Sequence, residues 1–231
     1  MNDCGMNSGA GATSRRTTPP RIMRWANRVC ASLAVGFGLC AVDAAAATVD
    51  VRVSDTRGTP VKDALIVLDP LDASPTPAHN TAVVDQVNQA FVPHISVVRT
   101  GTAISFPNSD RIRHQVYSFS AAKTFTIKLY AGSPDVPITV DKPGLIVLGC
   151  NIHDSMAGFV AVVDTPYFGK SSPQGSVRIE VPSGHYRLRV WHENESKPFQ
   201  STRISVDGAA LELPIELEIT DEPGIAAPWP E

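Results

Sequence analysis

Gly144-Leu145-Ile146-Val147-Leu148-Gly149-Cys150-Asn151-Ile152-His153-Asp154-Ser155-Met156 is the stretch on which the reading of this 231-residue chain turns. Leu145 to Leu148 form a short apolar run, half of it β-branched, that opens at the turn signal Pro143-Gly144. A run of that length and composition reads as a buried strand. It leads directly into a loop on which Cys150, His153 and Met156 stand three residues apart, and a second strand-like run follows over Gly158 to Val163. A cysteine at the mouth of a buried strand, with an imidazole and a thioether on the same tight loop, places three soft or borderline metal ligands within reach of one point.

Working outward, the chain alternates apolar and polar residues with period two: Val49, Val51 and Val53 early, Tyr186, Leu188 and Val190 later, and Leu211, Leu213, Ile215, Leu217 and Ile219 near the end. This is the pattern of half-buried antiparallel strands. Turn signals at Arg57-Gly58, Pro107-Asn108, Pro173-Gln174-Gly175 and Ser183-Gly184 separate them, and no stretch carries sustained helical periodicity. The expected class is therefore all-β. With 19 Pro, 19% charged residues and 6% aromatics, the composition agrees with a turn-rich β-sandwich and excludes a disordered chain. A formal charge of −3 leaves no basic footprint for nucleic acid.

A fourth ligand for the loop must come from elsewhere, and His114, in the strand-like His114-Gln115-Val116-Tyr117-Ser118-Phe119 after Asn108-Ser109-Asp110, is the best candidate. One thiolate, two imidazoles and a weak thioether suit copper, because polarisable sulfur stabilises Cu(I) while imidazole serves both oxidation states. Zinc also takes Cys and His, but Met is a poor zinc ligand. A dinuclear copper centre would need a second cysteine. The bland alternative is that Cys150 is simply a small buried hydrophobe. His79, His94, His185 and His192 read as surface or structural histidines, and Tyr117, Phe119 and Tyr130 as core fillers or parts of an electron path.

With these residues in place, the segment from 82 to 164 resembles the cupredoxins, the blue-copper proteins such as plastocyanin, pseudoazurin and amicyanin. The upstream pattern is carried by Phe91, Pro93, Val97, Gly101, Ile104, Phe106, Asn108, Asp110 and His114, and the ligand loop by Cys150, His153 and Met156, with an amicyanin-like spacing. The resemblance implies a Greek-key β-sandwich holding one type 1 copper on His114, Cys150, His153 and Met156. It also implies electron exchange with redox proteins such as a c-type cytochrome or a periplasmic dehydrogenase, and no enzymatic turnover. Gln115 departs from the small residue that many cupredoxins carry after the first histidine ligand.

The flanks read differently. Residues 51–68, through Asp55, Gly58, Pro60, Asp63 and Ala64, and residues 175–192, through Gly175, Pro182, Gly184 and Tyr186, are similar to the two halves of a carboxypeptidase-regulatory-like, or transthyretin-like, β-sandwich. The expected architecture is that sandwich split around an inserted copper domain: residues 48–81 as the first half with a Pro-rich linker, 82–164 as the cupredoxin, 165–220 as the second half, and 221–231 as a tail. The alternative is that 48–68 add strands to the cupredoxin and a separate small domain follows.

At the N-terminus, Arg24 and Arg28 precede an apolar run from Val29 to Val42 and an Ala-rich stretch ending at Ala47, the layout of a secretory signal peptide. Residues 1–47 are therefore expected to be a leader, with Met23 a well-proportioned alternative start, and the protein is expected to be periplasmic with no membrane span after cleavage. Of the four Cys and four Met, only Cys150 and Met156 lie beyond residue 47, which excludes an internal disulfide there. Two functions are consistent with this reading: an exported blue-copper electron carrier, or a copper-handling or protein- or carbohydrate-docking module.

Overall fold

A computed structural model describes residues 46–73, 79–197, 201–208, 210–220 and 229. The leader reading, apart from Ala46 and Ala47, and most of the tail lie outside these residues. Among the described residues there is no helix; the alternating segments become seventeen strands. They are β1 (Ala46–Asp55), β2 (Leu65–Pro70), β3 (Thr81–Val83), β4 (Asp85–Val87), β5 (Ala90–Val92), β6 (Ile95–Arg99), β7 (Thr102–Ser105), β8 (His114–Ser120) and β9 (Lys123–Tyr130), then β10 (Ile138–Val140), β11 (Gly144–Gly149), β12 (Ala157–Val163), β13 (Phe168–Lys170), β14 (Ser176–Pro182), β15 (Gly184–Trp191), β16 (Thr202–Val206) and β17 (Leu211–Leu217). β1 starts two residues ahead of the boundary placed after Ala47: Ala46 and Ala47 pair with Pro182 and Val181, and Ala47 is buried.

Strands from the two ends of the chain pair with one another. β1 lies between β14 and β17, and β2 lies between β13 and β15, with β16 beyond β15. Val49, Val51 and Val53 of β1 face Ile66 and Leu68 of β2 and Leu188 and Val190 of β15, and together they form one apolar core. The chain between β2 and β13 builds its own layers: β6-β12-β11-β8-β9 on one side, and β10-β7-β3 with the β4-β5 hairpin on the other. A second core, including Phe91, Ile104, Phe106, Val116, Ile146, Leu148, Val160 and Val162, fills the space between them.

A third core joins the two sandwiches. Leu65 and Val67 of β2 and Trp191 of β15 meet Ile95 of β6 and Phe159, Ala161 and Val163 of β12. β2 and β12 thus send alternate side chains into two different cores, which explains why both read as continuous apolar runs rather than as alternating ones. Polar contacts clasp the same junction: Lys170 Nζ donates to Ile95 O at 2.9 Å, and His94 pairs with Glu193 at 2.7 Å. The sheet that carries the candidate ligands is thus fixed on one face by the flanking sandwich and on the other by its own core.

Candidate metal centre

Three strand ends and one loop assemble the site. His114 opens β8 and is fully buried: β8 lies between β9 and β11, and its even-numbered side chains His114, Val116 and Ser118 point inward. Cys150 follows the last residue of β11, and the loop returns to β12 within seven residues, closed by the Met156 N–H donating to His153 O at 2.9 Å. That short return holds His153 beside the strand end.

Cys150 Sγ lies 3.7 Å from His114 Nδ1 and 4.0 Å from His153 Nδ1, and the three donor atoms are all within 4.8 Å of one another. Metal bonds of about 2.0–2.3 Å to nitrogen and sulfur place neighbouring donors about 3.5–3.8 Å apart, so the cluster fits a single ion with small adjustments. The two imidazole rings are 5.0 Å apart between centroids and tilted by 56°, which lets both Nδ1 atoms face the sulfur. Met156 is 2% exposed, sits in the same core as Cys150, and lines the same surface hollow. The donor set of one thiol, two imidazoles and a neighbouring thioether fits copper better than zinc, for which the thioether is a poor partner.

Electrostatics prepare the sulfur. Burial opposes ionisation of Cys150, but the N–H groups of Ile152 and Gln115 and the side chains of His114 and His153 outweigh it, bringing its pKa from 9.0 down to about 6. Gln115 contributes to the site through its backbone N–H rather than its side chain, so the sequence departure at that position leaves the hydrogen bond to sulfur intact.

A residue matched in the sequence pattern but given no task there proves central to the geometry. His114 Nε2 lies 2.8 Å from Asp110 Oδ2, so the carboxylate accepts the Nε2–H and holds the ring with Nδ1 facing Cys150. Asp110 also accepts the backbone N–H groups of Asn88 and Gln89, at 2.6 and 2.9 Å. Both residues occupy positive φ in the β4–β5 turn, 52° and 59°. The Gln89 N–H is the main cause of the lowered pKa of Asp110; burial works against it, and the His114 and Asn88 contacts add to it. Asn108, next in this network, donates through Nδ2 to Ile112 O and Tyr130 O at 2.8 and 3.1 Å. The available sequence signal was an Asp four residues before a His; the remote turn donors were not visible in it.

The other histidines have separate roles. His94 packs edge-on against Phe159 and pairs with Glu193, His185 pairs with Asp72, and the buried His192 directs Nε2 at Lys62 O. Tyr130 donates its hydroxyl to Phe106 O and contacts Gln86. None of these four joins the His114–Cys150–His153 cluster.

No protein-family model matches the sequence, and no curated protein is detectably similar to it. Solved structures with a partial likeness include a copper-containing nitrite reductase from Thermus scotoductus SA-01, with 25% identity and a TM-score of 0.35 over 43% of this chain and 27% of that chain. They also include a pseudoazurin from Methylobacterium extorquens AM1, with 19% identity and a TM-score of 0.32 over 37% of this chain and 77% of that one. A purple cupredoxin from Nitrosopumilus maritimus has 17% identity and a TM-score of 0.31 over 36% of this chain and 99% of that one. The match therefore spans about a quarter of the nitrite reductase and most of the two small proteins. Among the described residues, no helix is long and apolar enough to cross a membrane.

Proposed function

We propose that this chain is an exported copper protein that passes single electrons between redox partners. The observation that carries the reading is the convergence of His114 Nδ1, His153 Nδ1 and Cys150 Sγ within 4.8 Å, with Met156 buried alongside. A mononuclear copper held there would supply reversible one-electron chemistry. In this reading Cys150 would hold the ion through its thiolate, His114 and His153 would supply the two nitrogens, and Met156 would be a weak fourth donor.

The chain's own contribution is to keep those donors nearly still. β8 and β11 are rigid strands, Asp110 holds the ring of His114, and the Ile152 and Gln115 N–H groups hold the sulfur as thiolate near neutral pH. Donors that do not rearrange between oxidation states keep the barrier to electron transfer low. The same reading places the mature chain in the periplasm after removal of a leader, with a c-type cytochrome or a periplasmic dehydrogenase as partner and no enzymatic turnover of its own. It assigns 82–164 as the copper domain, set between the two halves of the flanking sandwich.

The test is to add Cu(II) to the purified chain. An intense visible thiolate-to-copper absorption that ascorbate bleaches reversibly is expected, and Cys150→Ser should lack it. A wild-type chain without that band, or a Cys150→Ser variant that keeps it, overturns the reading.

A further inference from the structure

Cys150 and Met156 are each 2% exposed, yet neither lies deep in the molecule. A hollow of about 380 Å³ opens beside the ends of β8 and β11, and both residues line it together with Tyr117, Gly149 and Asp154. The two sulfur side chains are therefore kept from water by a thin wall rather than by a thick layer of core.

Tyr117 supplies that wall. β8 and β11 are in register at the pair Gly149 with Tyr117. Cross-strand partners share a face, and here one partner has no side chain, so the other folds its ring over the vacated place. A Cβ at residue 149 would stand 2.6 Å from Tyr117 Cζ, 2.7 Å from its hydroxyl oxygen and 2.9 Å from Cε2, closer than side-chain atoms pack. The ring thus lies against the bare backbone of the residue immediately before Cys150. It also contacts Phe119, with centroids 5.2 Å apart, and Phe119 is 76% exposed, so solvent begins directly outside this pair of rings. Two residues before Tyr117 on β8, Gln115 donates its backbone N–H to the Cys150 sulfur. A hydrogen bond of that kind is stronger where water is absent.

We infer that Tyr117 is a positioning residue for Cys150: its ring, seated on Gly149, excludes water from the sulfur and preserves the Gln115 N–H contact to it. This rests on the copper reading above and deepens it. A dry sulfur with an N–H donor favours the state of lower charge, Cu(I), and so raises the reduction potential. The ring is the working part. Among the described residues the Tyr117 hydroxyl makes no hydrogen bond, so phenylalanine serves equally well at 117, whereas any side chain at 149 displaces the cover.

Alkylation of the metal-free full chain by iodoacetamide tests the shield without copper. Wild type and Tyr117→Phe should react slowly and alike, whereas Tyr117→Ala and Gly149→Ala should each react about ten-fold faster or more, as an uncovered thiolate does. The double variant Gly149→Ala/Tyr117→Ala should react no faster than Tyr117→Ala, because both changes remove the same ring from the same place. Asp69→Asn, in the flanking sandwich, should react as wild type and controls for general loosening. In the copper-loaded chain, Tyr117→Ala and Gly149→Ala should shift the reduction potential downwards, with Tyr117→Phe unmoved. Rates that multiply in the double variant, a Tyr117→Phe chain as fast as Tyr117→Ala, an Asp69→Asn chain as fast as Gly149→Ala, or an unmoved potential would each overturn the proposal. The two readings fail separately: a wild-type chain without the visible band sinks the copper assignment, whereas an intact band with unchanged alkylation rates sinks only the shield.

Discussion

The two sandwiches bury polar groups to opposite ends. In the flanking sandwich the buried polar side chains are paired off: Arg189 makes two hydrogen bonds to Asp69, at 2.7 and 2.9 Å, Ser171 bridges Val61 O and the Ala64 N–H, and Thr165 donates to Leu68 O. In the other sandwich, Asp110 and Asn108 use their hydrogen bonds to orient a fully buried His114, whose remaining nitrogen faces Cys150. Buried polar groups are costly unless satisfied. A cluster whose donors converge on one point, joined only by long sulfur–nitrogen contacts of 3.7 and 4.0 Å, is therefore suited to an additional ligand. The flank shows what the same sheet architecture does when the only task is to hold together.

The same chemical exchange on the two sides should separate these roles. Asp69→Asn removes the charge that faces the largely buried Arg189, whose side chain is 9% exposed, and should lower unfolding free energy by about 3 kcal/mol, since one partner of a buried ion pair is lost. Urea unfolding measures it, and the visible copper band should be unchanged in the folded variant. A loss smaller than about 1 kcal/mol would place this pair with ordinary surface bridges.

Asp110→Asn should do the reverse. Three N–H donors converge on this carboxylate, and an amide would turn its own NH2 group towards at least one of them. Copper affinity is expected to fall about 10- to 100-fold, as for other hydrogen-bond partners of metal-bound histidine. Competition with a chelator of known affinity reads this out. Unchanged affinity would show that β8 alone orients His114.

A third effect is a pH dependence that originates at the site. Because the Cys150 pKa is depressed to about 6, the unfolded chain holds a proton between that value and 9.0 that the folded chain has released. The metal-free protein should thus gain stability as pH rises through this window and lose it as pH falls towards 6. Cys150→Ser should remove this part of the pH dependence, and comparing the midpoints of thermal unfolding across that range checks it. Equal slopes for the two proteins would show that the sulfur is not held as thiolate.

Much of the candidate site was legible because most of its residues lie in local patterns. Cys150, His153 and Met156 fall on one seven-residue loop, and only one upstream histidine had the right strand context. Tyr117 and Asp110 were harder to interpret. The Tyr117 ring fills the space over Gly149 only because β8 and β11 pair at that point, and the Asp110 network depends on a turn more than twenty residues upstream. The core joining the sandwiches left a trace in the continuous apolar runs of β2 and β12, but which surfaces they would meet was not encoded in either run alone.

By itself, the sequence determined that the chain is all-β, that its lone cysteine and methionine beyond residue 47 share a loop, and that this loop suits copper, because periodicity and ligand spacing are local properties. A sandwich split around the middle segment is likewise the architecture expected from sequence. Only the tertiary structure decided which strands of the two ends pair, β1 with β14 and β17 and β2 with β13 and β15, that Asp110 holds the ring of His114, and that Tyr117 lies over Gly149. Those features depend on contacts between residues far apart in the chain, and such contacts exist only once the sheets have packed.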